Sequence, residues 1–157
     1  METLKSDYRT ELNRNGVIAF VPGGNSMWPI LKNRGQSVIV KVKTERLKVF
    51  DVAFYERKNG TFVLHRVMEV VDGGYIMLGD SQFEKERVKE EQVFGVMQGF
   101  YHGKKYVETT SPKYLKKVER WHARKRRRKI KLKAFYFTQR VKNKLKRIFS
   151  KKETDND

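Results

Sequence analysis

Apolar positions along this chain recur with two different periods. Leu4, Tyr8 and Leu12 return every fourth residue and predict a short helix over 3–14, which Gly16 suits as a stop. Short strand-like runs separated by turn signals follow. GVIAFV (16–21) precedes Pro22-Gly23-Gly24-Asn25, and SVIVKVK (37–43) follows LKNRGQ. VFDVAFYER (49–57) ends at Asn59-Gly60, a strong hairpin signal, and TFVLHRVMEV (61–70) ends at Asp72-Gly73-Gly74. YIMLG (75–79) runs into Asp80, and VFGVMQGFY (93–101) turns at His102-Gly103 and returns as KKYVET (104–109). Runs of this length and spacing predict a small, mainly antiparallel β domain with a modest core.

Ser111-Pro112 breaks the strand pattern, and a helical period takes over. Tyr114, Leu115, Val118 and Trp121 fit one helical face; Phe137, Val141, Leu145 and Ile148/Phe149 fit another. Between them lies RKRRRKIKLK (124–133), so the pattern predicts two basic amphipathic helices joined by a polybasic stretch. The organisation is an N-terminal helix over 1–15, a β domain over 16–111, a basic tail over 112–152 and an acidic terminus over 153–157.

Charge sharpens that division. The 157 residues carry 36 Lys+Arg and 18 Asp+Glu, a formal net charge of +18. Residues 1–112 net only +3, whereas 113–152 hold 19 basic residues against the single acid Glu119. A nearly neutral domain therefore carries a cationic tail. Its densest run, Arg124, Lys125, Arg126, Arg127, Arg128 and Lys129, suits a membrane surface or another polyanion. Nucleic acid is the second partner it fits, through phosphate contacts and aromatic stacking. Cysteine is absent, which excludes disulfides and thiolate metal sites, and the three His residues are widely spaced, so neither metal nor cofactor is expected. The start of the chain has no apolar h-region, and the longest uncharged stretch, Asn15 to Leu31, is broken by Pro and Gly. The expected location is cytoplasmic, peripheral to the inner face of the membrane.

Three short motifs carry candidate chemistry. In Gly24-Asn25-Ser26-Met27-Trp28-Pro29, a serine follows a Gly-rich turn that can present a hydroxyl and leave backbone N–H groups free. In Leu64-His65-Arg66-Val67, an imidazole sits within an apolar strand, with Val63, His65 and Val67 on one face. In Gly79-Asp80-Ser81-Gln82-Phe83-Glu84-Lys85-Glu86, acids are available to orient a histidine. Each motif alone reads as ordinary structure: a local turn, a satisfied core histidine, a strand-ending Gly-Asp.

In this order the motifs resemble the signal peptidase I family and its relatives, the self-cleaving repressors. The Ser-Met-x-Pro box is matched by Ser26, Met27 and Pro29, and the His-Arg-Val form of the base box by His65, Arg66 and Val67. Gly35 to Val40 and Phe50 to Phe54 echo the β segments between them, and Gly79-Asp80 matches part of the last box. The resemblance spans residues 16–100 and implies a β fold with a Ser/His active site that cuts a leader or signal peptide from a precursor. Ser26 is then the nucleophile and His65 the general base and acid, with Asp80 or Glu86 as the third member. The resemblance also implies that the Ser26 backbone N–H forms part of the oxyanion site; where some relatives add a hydroxyl this chain has Gly24, so either the Asn25 amide substitutes or the site is weaker. The chain lacks the transmembrane anchor usual in the family, a role the cationic tail can fill. Two rival readings are a nucleic-acid-binding protein acting through the tail and an inactive peptidase-like scaffold that binds peptides.

Overall fold

The computed structural model describes residues 8–32 and 35–154. Among the described residues are eight strands: β1 (Val17–Phe20), β2 (Val38–Val42), β3 (Val52–Glu56), β4 (Phe62–Val71), β5 (Gly74–Leu78), β6 (Glu86–Lys89), β7 (Val93–His102) and β8 (Lys105–Glu108). Helix α1 (Tyr8–Asn15) precedes them, and α2 (Pro112–Ala123) and α3 (Lys125–Thr154) follow. The fold is thus the small antiparallel β domain, with a short N-terminal helix and a basic helical tail, that the sequence pattern predicts. Residues 1–7, including Leu4 of the predicted helix, and residues 155–157 of the acidic terminus lie outside the described residues.

All strand pairs are antiparallel, in the order β1-β2-β7-β3-β4-β5-β6, with β8 added to β7. β3 is central, and alternation fills both of its faces. Ala53 and Tyr55 join Val67, Tyr75, Met77 and Val88 in one apolar cluster. Phe54 points to the opposite side, where its ring centroid lies 4.9 Å from that of Phe94 and 5.6 Å from that of Tyr8. Leu12 of α1 is fully buried, and Gly95 makes room for it. A Cβ there would lie 2.9 Å from Leu12 Cδ2 and 2.8 Å from Val40 Cγ1.

The chain divides into two compact units, Met1–Glu119 and Arg120–Asp157. The first unit runs past Pro112 because the start of α2 belongs to the β domain: Tyr114 and Val118 are buried, and the Tyr114 hydroxyl accepts a hydrogen bond from Arg66. In the second unit the polybasic stretch is helical except at its first residue. The helical break falls on Arg124, and α3 runs unbroken through the run of cations. Lys and Arg are good helix formers, so a stretch without apolar periodicity still propagates a helix. Ile130, Phe137, Val141 and Leu145 form an exposed stripe along α3. The side chains of Lys125, Ile148 and Phe149 lie outside the described residues. Among the described residues, no helix is long and apolar enough to cross a membrane.

Candidate active site

The Asn59-Gly60 hairpin fixes the register of β3 against β4. Arg57 N donates to Thr61 O at 2.9 Å, Tyr55 pairs with Val63, and Ala53 pairs with His65. Tyr55 is therefore the diagonal neighbour of His65 on the same face, within reach of an aromatic side chain. The Tyr55 hydroxyl lies 3.1 Å from His65 Nδ1 and 2.9 Å from Glu86 Oε2. Glu86, at the start of β6, is also clamped by Arg57 through Nε at 2.8 Å and Nη2 at 2.6 Å. His65 Nδ1 and Glu86 Oε2 are 3.9 Å apart, with the tyrosine bonded to both.

The donor inventory of this chain of groups sets the state of the imidazole. Burial alone raises the Glu86 carboxyl, but the Arg57 and Tyr55 hydrogen bonds outweigh it and hold the group below the usual carboxylate range. An ionised carboxylate only accepts, so the single hydroxyl hydrogen of Tyr55 goes to Glu86. Burial, reinforced by Glu86, pushes the Tyr55 phenol up, so that hydrogen stays in place. The Tyr55 oxygen can then only accept from His65, which puts the ring proton on Nδ1. His65 is 3% exposed, and burial, with Arg57 adding to it, pushes its pKa down to about 4. At neutral pH the ring is uncharged and its lone pair is on Nε2, the state of a general base.

Arg66, one residue on, points to the other face. Its Nε and Nη2 donate to Asp80 at 2.8 and 2.7 Å, and Nη1 donates to Phe50 O at 2.8 Å. Both members of this ion pair are fully buried. Burial works against the guanidinium charge, but Asp80 and Tyr114 outweigh it and push the Arg66 pKa up. The two acids singled out in the sequence thus have different stations: Glu86 reaches His65 through Tyr55, and Asp80 is engaged by Arg66.

The Gly79-Asp80-Ser81 turn in turn holds the serine loop. Ser81 N donates to Ser26 O at 2.8 Å, and Ser81 Oγ donates to Asn25 O at 2.9 Å. Trp28 N closes the turn on Asn25 O at 3.0 Å. A Cβ on Gly79 would come within 2.8 Å of Ser26 O, so only glycine allows this approach. Among the described residues the Ser26 backbone N–H donates to no backbone acceptor. Ser26 and His65 line one cleft of about 320 Å³, together with Gly23, Gly24, Val63 and Leu64. Among the described residues no three metal-ligating side chains converge.

The cationic run lies in the second unit. Arg124, Arg126, Arg127 and Lys129 are exposed and Arg128 is half-buried. Tyr55, Arg57 and Ser81 are the site residues that sequence reasoning missed. The signal for the first two was present: a hairpin centred on Asn59 places Tyr55 diagonal to His65. No protein-family model matches the chain, and no curated protein matches its sequence.

Proposed function

We propose that this protein is a serine endopeptidase of the signal-peptidase type, using Ser26 and His65. The observation that carries the reading is the Glu86–Tyr55–His65 chain, which leaves the imidazole unprotonated at Nε2, together with the cleft that both His65 and Ser26 line. Ser26 Oγ adds to the scissile carbonyl carbon while its proton passes to Nε2. The oxyanion is met by the Ser26 N–H. Collapse breaks the C–N bond as Nε2 returns the proton to the leaving amine, and water then repeats the sequence on the acyl-enzyme. Glu86 stabilises the transient imidazolium through the tyrosine hydroxyl.

Strand pairing supports a peptide substrate bound extended. β5 pairs with β4 only from Arg66 onward, so residues 62–65 of β4 have β3 on one side and no strand on the other among the described residues. Those residues and Val21 to Gly24, which continue β1, line the same cleft. An unpaired strand edge beside one hydroxyl favours a substrate that adds as a strand. The tail supports placement on the anionic face of a bilayer, in the cytoplasm. An exposed apolar stripe on a cationic helix lies in the interface plane, each nearby Lys or Arg contributing about 1 kcal/mol. The test is incubation with a peptide library followed by mass spectrometry. Discrete cleavage, abolished by Ser26→Ala and by His65→Ala, is expected; turnover that survives either substitution overturns the assignment.

A further inference from the structure

The residues that follow Ser26 in its loop, Pro29, Ile30 and Lys32, line a second concavity, of about 560 Å³, within the first unit. Its other walls are the β7–β8 hairpin and the start of α2. The register pairs Phe100 with Val107 and His102 with Lys105, so these four side chains share one face of the hairpin. Ile30, Phe100 and Tyr114 are buried and give the concavity an apolar floor. Lys32, Lys105, Lys113 and Lys117 surround it. Glu108 is the carboxylate among its lining residues, and it accepts a hydrogen bond from Thr110 at 2.8 Å. The His102 ring is tied to the buried Gln36 amide at 2.7 Å.

An apolar floor ringed by ammonium groups has a defined chemical complement. A small hydrophilic anion gains nothing from the floor, and a neutral or cationic chain gains nothing from the rim. The geometry points to a binding site for a single-chain anionic amphiphile, its carboxylate between Lys32 and Lys117 and its alkyl chain over Ile30, Phe100 and Val107. The two lysines come from separate elements and feel one another: burial, and then the Lys32 charge, push the Lys117 amine down. A carboxylate between them relieves that repulsion. This inference does not depend on the peptidase reading, although the site shares its loop with Ser26.

Methyl NMR on the full chain separates this groove from the tail. Laurate, added below its micelle-forming concentration, is expected to shift the methyls of Ile30 and Val107 in a saturable way. Acetate and dodecyltrimethylammonium are expected to leave both in place. The K32E/K117E variant, altered at two side chains on the rim, keeps the folded spectrum and binds laurate at least tenfold more weakly. Laurate shifts confined to Ile130 and Val141 of the tail overturn the proposal. So does an equal response to the cationic amphiphile or to acetate, and so does unchanged laurate affinity in K32E/K117E.

Discussion

The two units of this protein handle charge in opposite ways. Around His65, ionised groups meet an opposite charge or a hydroxyl at a fixed distance: Arg66 on Asp80, Arg57 on Glu86, Glu86 on Tyr55. Along α3 every charge except that of Glu153 is positive, and most of the described ones lie in water. Burial is what separates them. A charge removed from water must be paired, and once paired it fixes the geometry of its partners. A solvated charge fixes nothing locally and contributes only to a long-range field. Substitutions in the first unit therefore have large, position-specific effects, and those in the second act by number.

The largest expected effect comes from breaking the buried pair. Arg66→Ala removes the buried guanidinium that faces the Asp80 carboxylate, together with its contacts to Phe50 and Tyr114. Urea unfolding should register a loss of about 3–5 kcal/mol. Next comes acid. His65 titrates near 4 when folded and near 6.5 when unfolded, so the unfolded chain binds more protons between those values. Its stabilising contribution is fully present above about pH 6.5 and is lost as pH falls toward 4, by about 3 kcal/mol. Glu86, depressed when folded, adds a further loss below the ordinary carboxylate range. Unfolding followed across this window should show that slope in the wild type and a shallower one in His65→Leu.

Tyr55→Phe is a milder change with a sharper reading. It removes one hydroxyl and costs about 1 kcal/mol of stability. It also frees the imidazole to take either tautomer, so kcat/KM for a cleaved peptide should fall about 100-fold with KM little changed. A loss no greater than the change in folded fraction would make Tyr55 a packing residue. The smallest effect on stability belongs to the tail. Replacing Arg126, Arg127 and Lys129 with Gln should change unfolding by less than about 0.5 kcal/mol. The same variant should weaken binding to anionic vesicles by about 1 kcal/mol per charge removed, and unaltered binding would separate the cations from the membrane.

Much of the β domain was legible because its strands alternate and its turns carry Asn-Gly and Asp-Gly signals. His65 and Val67 are placed by period alone. The alternation fails just beyond, where the register of β4 on β5 slips between Val67 and Glu69. The partner of Asp80 was not legible, because Arg66 and Asp80 are joined by the β4–β5 pairing and by no local pattern. Tyr55 was legible in principle and needed only the hairpin register. The two tail helices and a break in the polybasic stretch were legible, but the break is a single residue, Arg124, because Lys and Arg propagate a helix through the rest of the stretch.

The proposed role of Ser26 is that of a nucleophile activated by His65. Intact-mass measurement after exposure to an alkyl fluorophosphonate tests it most directly, because that reagent loses fluoride to an activated serine. A single adduct mapped to Ser26, absent in Ser26→Ala and in His65→Ala, is the predicted result. No adduct on the folded wild type, or an adduct that persists without His65, would contradict it.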